Sequence, residues 1–311
     1  MHDLLIIGGG PAGIAAAAYG LGKRLDVVLL CANFGGTAGA RQQIAYQLER
    51  EHLVGEEAFN ALRRTVAEHP QQIVDDYVIG VFRREQLFHV LTERTTLHAP
   101  AVIVATGARP TQLGIAHEHE LTGHGFGYSI TTHAHLAGGR EVAVVGSTAR
   151  ALRGVAELLH SATRIVLIAP FPGALNSALG QRLRADRRVD LLEGYRVTEV
   201  EASAGAVHAI LVARGAQVQR LPVQAVFVDL GLVPNTQMVR QLVQLDEHGF
   251  IVIDDQHQSS VPGLFAAGDV TSVICEQIMI AIGAGASAAQ SAYEYILEQH
   301  LGLERTSIGM R

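Results

Sequence analysis

The opening stretch constrains this chain more than any other. Leu4-Leu5-Ile6-Ile7, four apolar residues in a row, runs directly into Gly8-Gly9-Gly10-Pro11-Ala12-Gly13. An alanine-rich segment from Ile14 to Leu21 follows with helical character, then a second apolar run from Val27 to Leu30. That is strand, glycine turn, helix, strand: one βαβ unit at the very start. Gly8 permits the tight turn, Gly10 lets the backbone approach a pyrophosphate, and Gly13 lets the helix pack close. An anion would rest on the helix N-terminus, where free N–H groups and the helix dipole favour negative charge. In this context Gly8-x-Gly10-x-x-Gly13 predicts a dinucleotide site.

The unit recurs from Glu141. Val142 to Val145 is apolar, Gly146 makes the turn, Ala149 to His160 reads as a helix, and Ile165 to Ile168 as the next strand. Two such starts, with 311 residues to distribute, predict two dinucleotide-type domains at roughly 150 residues each. Hydrophobic residues make up 48% and charged ones 17%, enough to build two cores and to exclude disorder. Between the units lie β-rich pieces, Val74–Val78, Val81–Arg84, Leu87–Leu91 and Thr95–Ala99, then a buried strand Ala101–Ala105. Another strand closes at Ala225–Leu230, and Leu264–Ala267 leads through Gly268-Asp269 into a long helix; the tail after Leu301 reads as loose.

Charge and cysteine content exclude several classes. A net charge of -6 and a pI near 6.2 leave no footprint for nucleic acid or acidic membranes. Cys31 and Cys275 are the only cysteines, so neither a disulfide scaffold nor a CxxC pair is encoded. Met1-His2-Asp3 does not read as a signal peptide, and Gln277–Tyr293 is too short and interrupted to span a bilayer. The expected location is the cytoplasm.

These residues together resemble the low-molecular-weight thioredoxin reductase family of flavoproteins. The matching pieces are Gly8 to Gly13, Gly35-Gly36, Ala105-Thr106-Gly107-Ala108, Gly231 to Thr236, Ala266 to Thr271, and the run Gln277 to Ala289. The resemblance implies an α/β fold of two Rossmann-like, three-layer ββα domains, the second inserted in the first. FAD would bind a discontinuous domain of residues 1–114 and 243–311. Residues 115–242 would form a pyridine-nucleotide-type domain, and the chain would pair as a homodimer. Carried over by position, Gly8, Gly10, Pro11, Ala12 and Gly13 would hold the FAD diphosphate. Cys31 would lie near the adenosine end, and Gly35, Gly36, Thr37, Ala105, Thr106 and Gly107 would also contact the cofactor. Gly268 and Asp269 would meet the ribityl or phosphate region, and Gln277 and Ile278 would start a helix facing the flavin pyrimidine end. A helix N-terminus there stabilises the negative charge that develops on reduction.

The departures from the family carry as much information. Cys31 stands where the family places an acid on the adenosine ribose, and Thr37 where it places a glutamine. The CxxC-Asp segment falls on Ser129-Ile130-Thr131-Thr132-His133, which cannot relay electrons through a disulfide. His133, in place of the acid, is the candidate proton donor or acceptor, against the alternative of a structural histidine. His135 completes a His-Ala-His pattern with no further ligands, so no metal site is expected. In the second glycine motif, Gly146-Ser147-Thr148-Ala149-Arg150-Ala151, Thr148 puts a branched side chain where bare backbone should approach a pyrophosphate. The next strand ends in Ala169-Pro170-Phe171 with no basic residue for a 2′-phosphate and no acid for a ribose. Arg150 and Arg153 remain as possible phosphate contacts, or as a solvated helix face.

Three functions follow. The first is an FAD-containing oxidoreductase without the redox disulfide, fed by a donor other than NAD(P)H, such as a ferredoxin-type protein. The second is an NAD(P)H-dependent reductase resembling the ferredoxin/flavodoxin reductases. The third is a flavin-binding sensor or partner protein without turnover.

Overall fold

The computed structural model describes residues 1–39, 55–116, 118–130, 134–203, 205–272 and 277–303. Among them, residues 1–39, 55–109 and 233–303 form one compact unit and 110–232 another.

The first unit is built on a five-stranded parallel sheet. Its order is Leu264–Ala266, Ala101–Val104, Leu4–Ile7, Val27–Leu30, Ile73–Val74. The central strands are unbroken apolar runs because both of their faces are covered, as parallel sheets require. Leu4, Ile6, Leu29 and Ile103 pack with Ala16, Ala288 and Ala289 of the helices Pro11–Gly22 and Ile278–His300. Leu5, Ile7, Leu30 and Val104 face the other way, onto Val81, Phe88 and Val90. Those three belong to an antiparallel sheet of Val78–Arg84, Leu87–Thr92 and Thr96–Ala99. Helices, parallel sheet and antiparallel sheet make the three layers.

Each fully buried Leu or Ile in this centre contributes roughly 1.5–3 kcal/mol, so the apolar run itself determines which strands lie innermost. The two long helices approach closely because their contact residues are small. A Cβ on Gly285 would lie 2.0 Å from the Ala12 carbonyl oxygen. The C-terminal part of the chain is thereby laid against the N-terminal motif.

The second unit repeats the plan. Its parallel sheet runs Val189–Glu193, Arg164–Ala169, Glu141–Val145, Ala225–Val228, Phe126–Gly127. Val142, Val144, Leu152 and Val155 bury one face under the helix Ala149–Leu158. Ala143, Val145, Val166 and Ile168 bury the other against the antiparallel strands Arg196–Ser203 and Ala206–Arg214. Strands Ala108–Pro110 and Leu232–Pro234 pair as a separate two-stranded sheet.

Three sequence expectations shift. The units change over at 109/110 and 232/233 rather than at 114/115 and 242/243. Leu113 and Ile115 pack on the second core. Val239 and Val243 belong to the first, and no local motif signals either preference. Val74–Val78 is not one strand: Asp75-Asp76-Tyr77 separate Ile73–Val74 from Val78–Arg84. The Asp76 carboxylate breaks the run by accepting the Tyr77 and Arg94 N–H groups at 2.8 and 3.3 Å. Ala225–Leu230 ends at Val228, and the residue that leaves the strand, Asp229, proves central to the second site. The tail from 304 lies outside the described residues.

Candidate functional site

In the first unit the strand order reverses about Leu4–Ile7, with Val27–Leu30 on one side and Ala101–Val104 on the other. Open α/β sheets bind ligands at such a switch point, beyond the carboxyl ends of the strands. The Gly8 N–H donates to Leu30 O at 2.8 Å, and the Ala105 N–H to Ile7 O at 2.8 Å. Gly8 has φ +117°, and a Cβ on it would lie 2.3 Å from Ala105 O. No other residue fits there. A Cβ on Gly13 would fall 1.8 Å from Gly8 O, so the helix is drawn hard against the turn.

Gly10 is different. Its φ of -77° suits any residue, and a Cβ on it would meet no heavy atom within 4 Å. The protein does not need glycine there; bare backbone simply leaves the space outside open. Pro11 starts the helix without an N–H, as is common at the first helical position. The first helical bond runs from the Ile14 N–H to Gly10 O at 2.9 Å. The Ala12 and Gly13 N–H groups precede it, at the positive end of the helix. That cradle suits a diphosphate, by geometry and by charge.

The other predicted contacts collect around it. The Gly35 N–H donates to Gly9 O at 2.9 Å, and a Cβ on Gly36 would lie 2.8 Å from the Gly10 Cα. Thr37 is exposed beside them. Cys31 is buried next to Gly9, and burial, aided by the nearby Asp75 charge, pushes its thiol up to about 11. At neutral pH it is an inert thiol and not a thiolate. Gly268 meets the first helical turn, since a Cβ there would lie 2.9 Å from the Ala12 Cβ. Asp269 follows, half-buried. Gln277 precedes the helix Ile278–His300 with its side chain exposed, while its carbonyl accepts the Ala281 N–H at 2.9 Å. Ile278 is half-buried against the first core.

Asn235 is a site residue that its sequence motif gave no role. Its Nδ2 donates to Thr106 O at 2.9 Å, its N–H donates to Gly107 O at 3.0 Å, and its own carbonyl accepts the Thr106 hydroxyl at 2.6 Å. These three bonds pin Ala105-Thr106-Gly107 beside the cradle. The signal was the Gly231–Thr236 run itself, whose asparagine had no assigned partner. His133 and Cys275 lie outside the described residues.

The second unit has its own switch point, between Glu141–Val145 and Ala225–Val228. Gly146 has φ +142°, and a Cβ on it would lie 1.9 Å from Asp229 O. Thr148 caps the following helix, its hydroxyl oxygen accepting the Ala151 N–H at 3.0 Å. The same hydroxyl donates to Asp229 Oδ1 at 3.2 Å. Arg150 grips that carboxylate with two bonds, Nε to Oδ2 at 2.7 Å and Nη2 to Oδ1 at 2.8 Å. The Asp229 side chain is 4% exposed and that of Arg150 24%. Arg150 is thus engaged by a buried carboxylate at the mouth of the site, which corrects its reading as a ready phosphate contact. Arg153 is exposed on the helix face, and Ala169-Pro170-Phe171 brings no charge. Among the described residues, no group of three or more His, Cys, Asp or Glu is placed to hold a metal ion.

Residues 2–286 match the pyridine nucleotide-disulphide oxidoreductase family. The chain belongs to that family. It is 30% identical over 308 residues to the F subunit of alkyl hydroperoxide reductase from Xanthomonas campestris pv. phaseoli, covering 95% of this chain and 57% of that protein. The Pseudomonas putida protein of the same name is 31% identical, with 95% and 58% covered. The chain therefore spans less than two thirds of the length of these curated relatives. Among solved structures, thioredoxin reductase from Streptococcus pyogenes superposes with a TM-score of 0.86 at 29% identity, covering 96% of this chain and 99% of that one. Thioredoxin reductase from Giardia duodenalis shares the fold, with a TM-score of 0.82 at 23% identity over 95% and 99% of the two chains. The expected two-domain Rossmann-like architecture is the observed one, and the chain has the thioredoxin reductase fold. Among the described residues, no helix is long and apolar enough to cross a membrane.

Proposed function

We propose that this chain is an FAD-dependent oxidoreductase whose flavin occupies the first unit and whose electrons come from a donor other than NAD(P)H. One contrast carries the reading: the switch point of the first unit is open at Gly10, whereas that of the second is filled by Asp229, Arg150 and Thr148. FAD, when bound, supplies the capacity to accept and pass on electrons or hydride.

The chain's own residues supply the rest. Gly10, Ala12 and Gly13 would hold the diphosphate on the helix N-terminus, with Gly8 and the Gly35–Thr37 turn shaping the walls. Asp269 would accept hydrogen bonds from ribityl hydroxyls. Gln277 and Ile278 begin a helix whose positive end would steady charge at the pyrimidine end of the flavin. His133 would move a proton at the reaction face, in place of an acid next to a disulfide. With only Cys31 and Cys275 among these 311 residues, the electron path would not run through a CxxC pair within them. A redox protein such as a ferredoxin-type carrier is the donor class this reading favours. We read the chain as a cytoplasmic homodimer; exposed Met279 and Ile280 at the start of the long helix suit a second copy.

The test is an anaerobic titration of the purified protein with NADPH and then NADH, followed by dithionite. Retained FAD that bleaches with dithionite but not with either nucleotide is the expected result. Stoichiometric bleaching by NADPH or NADH would sink the donor assignment, and protein purified without flavin, unable to take up added FAD, would sink the cofactor.

A further inference from the structure

The switch point of the second unit contains an anion already, and that anion belongs to the chain. Asp229 leaves the strand Ala225–Val228 at the point where the neighbouring strand Glu141–Val145 turns into its helix; the register pairs Val145 with Val228. The carboxylate is all but fully buried and holds three donors, two from Arg150 and one from Thr148. Thr148 in turn takes the Ala151 N–H. Two groups in this mouth that would attract a diphosphate are therefore turned inward: the Arg150 guanidinium and the Ala151 N–H of the helix start. A second negative charge brought there would meet Asp229 and find Arg150 already neutralised.

We propose that Asp229 is the residue that excludes a dinucleotide from the inserted unit, acting as a built-in substitute for the ligand's diphosphate. The proposal rests on the donor reading above and deepens it by assigning exclusion to one side chain. Neutralising Asp229 removes the negative charge that Arg150 Nε and Nη2 grip at the head of the helix Ala149–Leu158, where an anionic ligand would rest.

The experiment uses the full-length chain and calorimetric titration with NADP+ and NAD+, neither of which can reduce the flavin. Asp229→Asn keeps one acceptor oxygen, at the position that takes the Arg150 Nη2 and Thr148 hydroxyl donors, and gives up the bond from Arg150 Nε. Asp229→Ala removes the group altogether, with far-UV circular dichroism verifying that each variant is folded. Glu141→Gln serves as the control, because it removes the same charge from the opposite end of the strand Glu141–Val145, where Glu141 pairs with Arg164 at 3.1 Å. Asp229→Asn is expected to bind at least tenfold more tightly than wild type, Asp229→Ala likewise if folded, and Glu141→Gln no more tightly than wild type.

A folded Asp229→Asn with no gain would overturn the proposal while leaving the donor reading intact. An equal gain in Glu141→Gln would also overturn it, because net charge alone would then be responsible. If wild type already binds NADP+ and NADPH bleaches its flavin, the donor reading falls. In that case a further tenfold gain in Asp229→Asn still supports Asp229 as the opposing group.

Discussion

The two switch points of this chain share a backbone almost bond for bond. The Gly8 N–H reaches Leu30 O in the first unit, and the Gly146 N–H reaches Ile168 O in the second. Ala105 bonds back to Ile7 O as Asp229 does to Val145 O, each at 2.8 Å. The Gly35 N–H meets Gly9 O as the Ala174 N–H meets Ser147 O, and the first helical bond ends on Gly10 O in one and Thr148 O in the other. Yet one mouth is open and the other is filled. The difference lies in three paired positions: Gly10 against Thr148, Ala12 against Arg150, Ala105 against Asp229. Ala151 adds a fourth, carrying the methyl group for which Gly13 has no room. The lesson is that the Rossmann backbone supplies the place for an anion, and a few side chains decide whether that place is offered to a ligand or closed from within.

The comparison can be broken most forcefully at Arg150. Arg150→Met leaves the Asp229 carboxylate buried with only the Thr148 hydroxyl of its named partners. Losing one side of a buried pair costs about 3–5 kcal/mol in general, and about 2–3 kcal/mol is expected here because the guanidinium is partly exposed. Urea unfolding of the variant against wild type measures it; a loss below about 0.5 kcal/mol, the size of a surface pair, would show that the second mouth is not held shut by this contact.

Copying Thr148 into the first unit sharpens the contrast from the other side. Gly10→Thr should fold normally, since Gly10 is extended, has open space at its Cβ, and would gain a hydroxyl able to cap the Gly13 N–H. Its flavin affinity should fall at least tenfold, about 1.4 kcal/mol, when measured by fluorescence quenching as FAD is added back. Unchanged affinity would remove Gly10 from the diphosphate cradle.

The smallest effect concerns the ends of the second strands, where Cys31 stands in one unit and the untitratable Ala169 in the other. Burial raises the Cys31 thiol from 9.0 to about 11, so the folded state holds its proton more tightly than the unfolded state. The resulting stabilisation is fully present below pH 9.0 and is lost as pH rises through about 11. The stability difference between wild type and Cys31→Ala, from urea midpoints at a series of pH values, should shift against wild type across that window. A difference that stays flat would show that the thiolate is not penalised by its surroundings.

Much of the first site is legible in the linear chain. Gly8, Gly10 and Gly13 stand between an apolar run and a helix-forming stretch, so turn chemistry, helix propensity and burial all act within a few residues of one another. The same locality makes Gly146 readable, and with it the second βαβ unit. The Asp76 turn is harder, because the carboxylate that breaks the strand finds the Arg94 N–H 18 residues away. Asn235 is visible as part of its motif but not in its role, since Thr106 lies 129 residues from it.

By itself, then, the amino-acid order determined that this chain forms two βαβ-based units with glycine turns at their heads, because strand and helix periodicity and close glycine turns are local properties. It also determined that these 311 residues hold no CxxC pair, since Cys31 and Cys275 are their only cysteines. Only the tertiary structure decided what each glycine turn faces. In sequence Asp229 falls inside the apolar strand Ala225–Leu230, 79 residues from Arg150. Parallel pairing of Ala225–Val228 beside Glu141–Val145 carries its carboxylate to the head of the second helix, and long-range register of that kind is set by packing the whole sheet.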